Sequence, residues 1–342
     1  MKIAVMGDTL CRAEGGGDPF EHVRPVWERA DLRLLNLETV LTDRGTPAPK
    51  RTLLRTDPAE AHWLHGVDVV HLANNHVFDY GEIGCADTLQ ALDDLHIEHI
   101  GVMPGNRWEM VVPASHERGF LAFHAYPLQA GQYQAMHIEN WERVLVSVEW
   151  LSGQLQSIVV SLHWGTEHAP HPSPLQIEQA HVLIDAGATL VVGHGPHRVQ
   201  TIERYRDGLI AYSLGNFNFL HTDVRSSEFN TWSVILIADV EGRRVTDYEL
   251  VPVHIDPRGR PLPEQHLAGQ LYLEYINTLS QPDITWRQWY EEIGSTYITQ
   301  SLKSFAYTIP RYGWVRLRKL AWWLRQPHTR RAFAGALRAV RL

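Results

Sequence analysis

Short runs rich in Val, Ile and Leu recur along the chain, and polar or glycine-containing segments separate them. The runs Ile3–Met6, Leu32–Leu37, Val67–Leu72, Ile97–Val102, Ser157–Leu162 and Thr189–Val192 are too short for ordinary helices and predict buried strands. Between them, helical patterns cover roughly Pro58–Leu64, Gly84–Leu95, Asn140–Gln154 and Pro174–Ala186. Buried strands alternating with helices predict an α/β layered core. Further on, Leu209–Ser213 and Trp232–Val240 predict strands, with short turns at 206–208 and 241–243, so an antiparallel portion is expected after the α/β half. The Pro- and Gly-rich stretch 256–263 then marks a domain edge. It divides the chain into a body, residues 1–255, and a helical, Trp- and Arg-rich extension, residues 256–342.

Composition narrows the class. With 342 residues and 44% apolar content the chain is globular rather than disordered or fibrous. Two cysteines, Cys11 and Cys85, exclude a disulfide framework and a Cys-rich zinc site. No run is long and apolar enough to cross a bilayer, and the N-terminal run reaches Asp8 too early for a signal peptide. A cytoplasmic protein is expected. Gly15, Gly16 and Gly17 lack the Lys-Ser/Thr ending of a phosphate loop and predict only a flexible loop.

The net charge of −8 is unevenly spread. Residues 293–342 hold ten bases and no acid, so the first 292 residues carry 21 − 39 = −18. So acidic a body is not expected to bind nucleic acid. Within the tail, Trp314, Leu317, Ala321 and Leu324 fall at helical spacing among arginines, over Arg311–Arg325. Such a helix fits an anionic membrane surface, which would make the protein peripheral at the inner membrane. It fits equally well packing on the body or on a synthesis-complex partner.

Candidate chemistry lies where the strands end. Asp8 follows the first, Asn36 and Glu38 close the second, Asn74, Asn75 and His76 close the third with Asp79 just beyond, His163 closes the fifth, and His194 and His197 close the sixth. Strand C-termini in such a sheet form one edge, where ligands bind. Carboxylate, amide and imidazole donors suit Mn, Fe or Zn, and one carboxylate can bridge two cations. Taken singly, each residue has a plainer reading: Asp8 as a turn or cap, Glu38 as a solvated charge, the asparagines as a turn, His163 as a hydrogen-bonded core residue, and His194 and His197 as loop residues. Those readings weaken together, because each would have to hold at the same edge.

The ordered motifs Gly7-Asp8, Asn36-Leu37-Glu38, Asn74-Asn75-His76 with Asp79, His163-Trp164-Gly165 with Glu167, Gly193-His194-Gly195-Pro196-His197 and Ser213-Leu214-Gly215-Asn216-Phe217 resemble the CapA family. These are bacterial capsule and poly-γ-glutamate synthesis proteins related to the calcineurin-like metallophosphoesterases. The resemblance covers about residues 1–255. It implies a four-layer α-β-β-α sandwich and one or two divalent metal ions. By it, Asp8, Glu38 and His197 would hold one ion, and Glu38, Asn75, His163 and His194 the other. His76 would face the leaving group, oriented by Asp79, and Glu167 and Asn216 would line the cleft. Two departures stand out: Leu10 occupies the place of a ligating histidine in the parent superfamily, and Glu38 replaces its bridging aspartate. Arg12, close to Asp8, is a candidate for binding an anionic substrate group, or else a surface arginine. Two functions remain in view: a phosphoesterase-type hydrolase acting on an anionic or phosphorylated surface polymer or its precursor, and a non-catalytic accessory subunit with a vestigial or structural metal site.

Overall fold

In the computed structural model the described residues are 1–104, 118–125, 127–220, 228–279 and 284–294, with isolated positions at 298, 330 and 334. The strands that build the body are β1 (Lys2–Thr9), β2 (Leu32–Leu37), β3 (Val69–His71), β4 (Glu98–Ile100), β5 (Arg118–His124), β6 (Ser157–His163), β7 (Leu190–His194), β8 (Ile202–Tyr205), β9 (Gly208–Ala211), β10 (Asn216–Asn218), β11 (Trp232–Glu241), β12 (Arg244–Ile255) and β13 (Pro261–Pro263). Among the helices are α1 (Gly81–Asp94), α2 (Trp141–Ser152), α3 (Pro174–Asp185) and α4 (Leu267–Thr278).

Two sheets result. The first runs β13-β12-β11-β1-β2-β3-β4, with β10 also paired to β1, and the second runs β8-β9-β7-β6-β5. From β1 to β4, and from β5 through β6 and β7 to β9, the pairing is parallel. The expected antiparallel portion is the β11–β12 hairpin, which lies against β1.

Alternate side chains of each strand decide the layering. Ile3, Val5, Leu32, Leu34 and Val69 of the first sheet meet Phe120, Ala122, Val159, Leu190 and Val192 of the second in one buried core. The opposite faces pack outward. Ala4, Met6, Leu35 and Val70 lie against Phe20, Trp27, Leu64, Cys85 and Leu92, while Val160, Leu162 and Val191 lie against Val144, Val148, Ala180 and Leu183. Both strand faces are therefore apolar, as their unbroken hydrophobic runs require. The result is a four-layer α-β-β-α sandwich.

Several elements differ from expectation. Residues Pro58–Leu64 form a 3₁₀ helix, started by Asp57 accepting from the Ala59 N–H. The run at 97–102 is two strands, not one. Gly101, at φ +94°, breaks it, and Val102–Pro104 then pairs in a separate three-stranded sheet. The body also continues past the expected edge at residue 256. Strand β13 joins the first sheet, and α4 buries Tyr272 and Ile276 in the inter-sheet core. The amphipathic segment Arg311–Arg325 lies outside the described residues. Among the described residues, no helix is long and apolar enough to cross a membrane.

Candidate metal centre

The inner face of each strand changes character toward its C-terminus. On β6 the inward series is Val159, Ser161, His163, and on β7 it is Leu190, Val192, His194. On β2 it ends at Asn36, beside His71 of β3 in register, with Glu38 immediately beyond. On β1 the pairing with β2 shifts between Met6 and Asp8. Such a bulge re-aims the next side chain, and here it turns Asp8 inward. Gly7 sits at the shift, where a Cβ would collide with the Gly215 carbonyl oxygen. His163 and His194 face each other across the β6–β7 pairing. Polar ends from both sheets therefore meet at one edge of the inter-sheet core.

Asp8, Glu38 and His163 each offer a ligand atom within 4.8 Å of the others, and all three are buried. His197 Nδ1 is 3.2 Å from Asp8 Oδ2 and 3.8 Å from Glu38 Oε2. His194 Nδ1 is 3.6 Å from Asp8 Oδ1, and His163 Nε2 is 3.7 Å from Glu38 Oε1. His197 reaches this position from a left-handed backbone conformation, φ 59°, which is strained for a non-glycine residue.

A second layer fixes which imidazole nitrogen faces the centre. Asn36 Nδ2 donates to Asp8 Oδ1 (2.8 Å) and lies 3.3 Å from His163 Nδ1, leaving His163 Nε2 toward Glu38. Ser161 Oγ sits 3.1 Å from His194 Nε2 and 2.6 Å from His71 Nδ1, leaving His194 Nδ1 toward Asp8. Asn74 Nδ2 donates to Asn36 Oδ1 and to the Leu37 carbonyl, while its own Oδ1 accepts from the His76 N–H. This is the support that ligating imidazoles and carboxylates ordinarily need.

The centre nonetheless carries buried polar atoms without a hydrogen-bond partner: both carboxylate oxygens of Glu38, Oδ1 of Asn75 and Nδ1 of His194. Each such atom costs free energy unless something satisfies it, and a cation held among Asp8, Glu38 and His163 would satisfy the carboxylate oxygens that face it. Oxygen and nitrogen donors in this mix suit a divalent metal ion, so the residues fit such a group.

Charge is shared unequally here. Burial works against the Asp8 anion, but the His194 and His197 imidazoles outweigh it and hold its carboxyl well below the usual range. Burial pushes Glu38 the other way, well above the usual range, and the neighbouring Asp8 and Glu167 charges add to that. Burial opposes a charged His197 as well, yet Glu38 and Asp8 lift it to about 10. Without metal, the centre therefore favours the Asp8 anion and a charged His197, while burial disfavours the Glu38 anion. Burial lowers His163 and His76, against the raising effects of Asp8 and Asp79 respectively.

His76 Nδ1 lies 2.7 Å from Asp79 Oδ2, which directs Nε2 toward Glu38 Oε1 at 3.8 Å. Asp79 is itself held by the Leu54 N–H (2.6 Å) and by an ion pair with Lys50. Lys50 Nζ also donates to the Asn75 carbonyl and lies 3.2 Å from His76 Nδ1. Asn216 meets His197, its Oδ1 3.0 Å from Nδ1. Glu167 is exposed to solvent in part and acts on the centre through its charge. Arg12 turns away from the role considered for it: its guanidinium donates to the Arg55 carbonyl, and its backbone is clamped to Asn218. The position of the absent histidine is filled by Leu10, packed with Leu54 and Phe219.

Lys50, His71 and Ser161 carry no motif in the sequence, and nothing in it assigns Asn36 or Asn74 a role. Asn36 and Ser161 stand two residues before Glu38 and His163, on the same strand face, and that spacing was the available signal. Lys50 lies in a polar loop and had none.

Among characterised sequences, the chain is 29% identical over 264 residues to the capsule biosynthesis protein CapA of Bacillus anthracis, covering 71% of this chain and 62% of that protein. It is 29% identical over 226 residues to the PGA biosynthesis protein CapA of Bacillus subtilis, covering 62% and 59%. The chain thus spans about 60% of the length of these relatives. Among solved structures it is similar to a hypothetical protein from Thermus thermophilus (TM-score 0.48, 16% identity, 74% of this chain and 98% of that one). It is also similar to a novel phosphatase from Mycoplasma pneumoniae (TM-score 0.43, 12% identity, 74% and 93%). The family described as bacterial capsule synthesis protein PGA_cap matches residues 2–220, the stretch that contributes every donor of the buried centre, and the chain belongs to that family.

Proposed function

We propose that the protein is a metal-dependent hydrolase of phosphoester type, acting on an anionic or phosphorylated precursor of a surface polymer, either a capsule or exopolysaccharide or poly-γ-glutamate. The observation that carries this reading is Glu38: fully buried, with both oxygens unpartnered, among His163, His197 and His76. A purely structural carboxylate would have been given hydrogen bonds.

Asp8, Glu38, Asn75, His163, His194 and His197 would hold one or two divalent ions, Mn, Fe or Zn by donor chemistry. When bound, such ions supply Lewis acidity and offset the charge that develops on a phosphoryl group. The chain's own residues do the rest. His76, its Nδ1 tied to Asp79, presents Nε2 to the centre and gives its proton to the departing oxygen. Lys50 neutralises Asp79 and keeps that pair from drifting. Asn36 and Ser161 hold two imidazoles in the orientation that points a free nitrogen inward.

The test is metal content of the purified protein together with turnover of generic phosphomonoesters and diesters by wild type, Glu38→Ala and His76→Ala. Bound metal, with turnover abolished in Glu38→Ala and reduced about 10²–10⁴-fold in His76→Ala, is the expected result. The second reading, a non-catalytic accessory subunit, is favoured by Leu10 in place of a ligand. It predicts that Glu38→Ala loses metal and stability while no variant, wild type included, turns over a phosphoester. The basic tail suits an anionic membrane or a partner of the synthesis complex under either reading.

A further inference from the structure

Directly after His163 the chain runs Trp164, Gly165, Thr166, and these residues form one wall of a second cavity of about 480 Å³. That size is within the range, roughly 300–1,000 Å³, of pockets that hold a small ligand. The opposite wall is aromatic. Residues 286–294 are helical and bring Trp286, Trp289 and Tyr290 to the cavity. Trp289 and Tyr290 are buried with Ala169 and Ile293, and Trp289 Nε1 donates to the His171 carbonyl at 3.3 Å, which anchors this wall to the loop that follows the metal-ligand motif. Trp286 stacks on Tyr290 with ring centroids 5.6 Å apart and remains 39% exposed. Trp164 is fixed by its indole N–H donating to the Tyr212 carbonyl.

The polar groups are as informative. Gln176, only 6% exposed, accepts from the Ser173 N–H and Oγ through Oε1, closing the cap of α3. Its amide nitrogen is buried without a hydrogen-bond partner, on the side of Gly165, where a Cβ would come within 2.9 Å of it. Gln179 and Thr166 add neutral polar groups. Among the described lining residues the one charged side chain is Glu139, and no Lys, Arg or His lines the cavity.

We infer that this cavity is a subsite for a neutral saccharide unit of the polymer. Aromatic faces pack against the C–H faces of a sugar ring, and amide, hydroxyl and carboxylate groups satisfy ring hydroxyls. Poly-γ-glutamate is the wrong chemistry for it: each unit carries a carboxylate, and the only charge in the described wall is another carboxylate. The inference rests on the reading of this chain as acting on a surface polymer, and it selects the glycan over the polyglutamate.

The experiment uses the full chain and measures binding of neutral glucan, mannan and galactan oligosaccharides against a γ-linked glutamate oligomer, by saturation-transfer NMR and calorimetry. At least one neutral oligosaccharide binds, and the glutamate oligomer does not compete. Trp286→Ala weakens that binding about tenfold or more, the loss of a stacked ring costing roughly a factor of ten. Gln179→Ala removes a partly exposed amide of the wall without touching the cap of α3, and weakens binding with the helix intact. Trp150→Ala, an exposed tryptophan outside the cavity, leaves it unchanged. Absence of binding by every neutral saccharide overturns the inference, as does preferential binding of the glutamate oligomer, or affinity unmoved in both cavity variants. Turnover of a small aryl phosphate is measured separately. Saccharide binding without turnover refutes the hydrolase and leaves the subsite standing, and turnover without saccharide binding does the reverse.

Discussion

Replacing Glu38 by glutamine should change sign with metal. Without metal, burial and the adjacent Asp8 raise the Glu38 carboxyl well above its usual range and so disfavour its anion, and neither oxygen has a hydrogen-bond partner. Glutamine is a neutral side chain of the same shape, so metal-free Glu38→Gln should match wild type within about 1 kcal/mol. A different outcome would follow if Glu38 were an ionised partner of His163 or His197, because breaking a buried ion pair costs roughly 3–5 kcal/mol. With metal the comparison reverses. A ligand at a hundred times its Kd stabilises the folded state by about 2.7 kcal/mol, which for a body of this size raises Tm by roughly 4–5 °C. Glu38→Gln loses the carboxylate shared by His163, His197 and His76, and its metal-induced shift should shrink to about 1 °C. The assay is differential scanning fluorimetry of EDTA-treated protein titrated with Mn²⁺ and Zn²⁺, with urea melts to fix the metal-free difference. Equal metal shifts in the two proteins would refute the role of Glu38 as a ligand. A metal-free deficit above about 3 kcal/mol would refute the reading that burial disfavours its anion.

Ser161→Ala removes the hydroxyl that sets the orientation of His194, and should weaken metal binding about 10–100-fold while the metal-free Tm shifts little, as read by competition with a chromogenic chelator. Gly193→Ala should destabilise the fold by about 1–3 kcal/mol or more in urea melts, because its Cβ would strike the Tyr212 carbonyl and the Trp164 indole nitrogen. Asp256 is held below the usual carboxylate range, its partial burial being outweighed by hydrogen bonds from Arg260 and Arg258. Its contribution is therefore present above the unfolded carboxylate value near 4 and is lost as pH falls through the lower folded value. Asp256→Asn should cost about 1 kcal/mol or less at pH 7 after solvent screening, and the gap from wild type should narrow as pH falls below the unfolded carboxylate value in pH-dependent urea melts.

The layered α/β core was legible because fully buried strands announce themselves as unbroken apolar runs, as in Ser157–Leu162 and Leu32–Leu37. Strand β5 was missed because Gly119 and the flanking histidine and arginine interrupt such a run, although it pairs with the whole of β6. The 3₁₀ segment at 58–64 was read as an α-helix because a single turn of apolar spacing fits both. Of the site, Asp8, Glu38, His163, His194 and His197 could be picked out as polar groups stopping apolar strands, and the fold gathers all five. The bulge that turns Asp8 inward could not be read, since it depends on the pairing partner. Nor could the diversion of Arg12, whose nearness to Asp8 in sequence says nothing of the carbonyl at Arg55 that captures it.

Strand β1 lies between β2, which follows it closely in sequence, and β11, more than two hundred residues away. Its central place in the first sheet is therefore vacant on one side until nearly the whole body has left the ribosome. A chain ended at residue 220, where the family match stops, would keep every metal donor yet leave the backbone of residues 2–5 with no neighbour on that flank. Bare strand edges of apolar sequence recruit other chains, so such a fragment should self-associate rather than bind metal as a monomer. The segment that defines the family is thus not a unit that can be cut free: the hairpin of β11 and β12, outside the match, is what closes it.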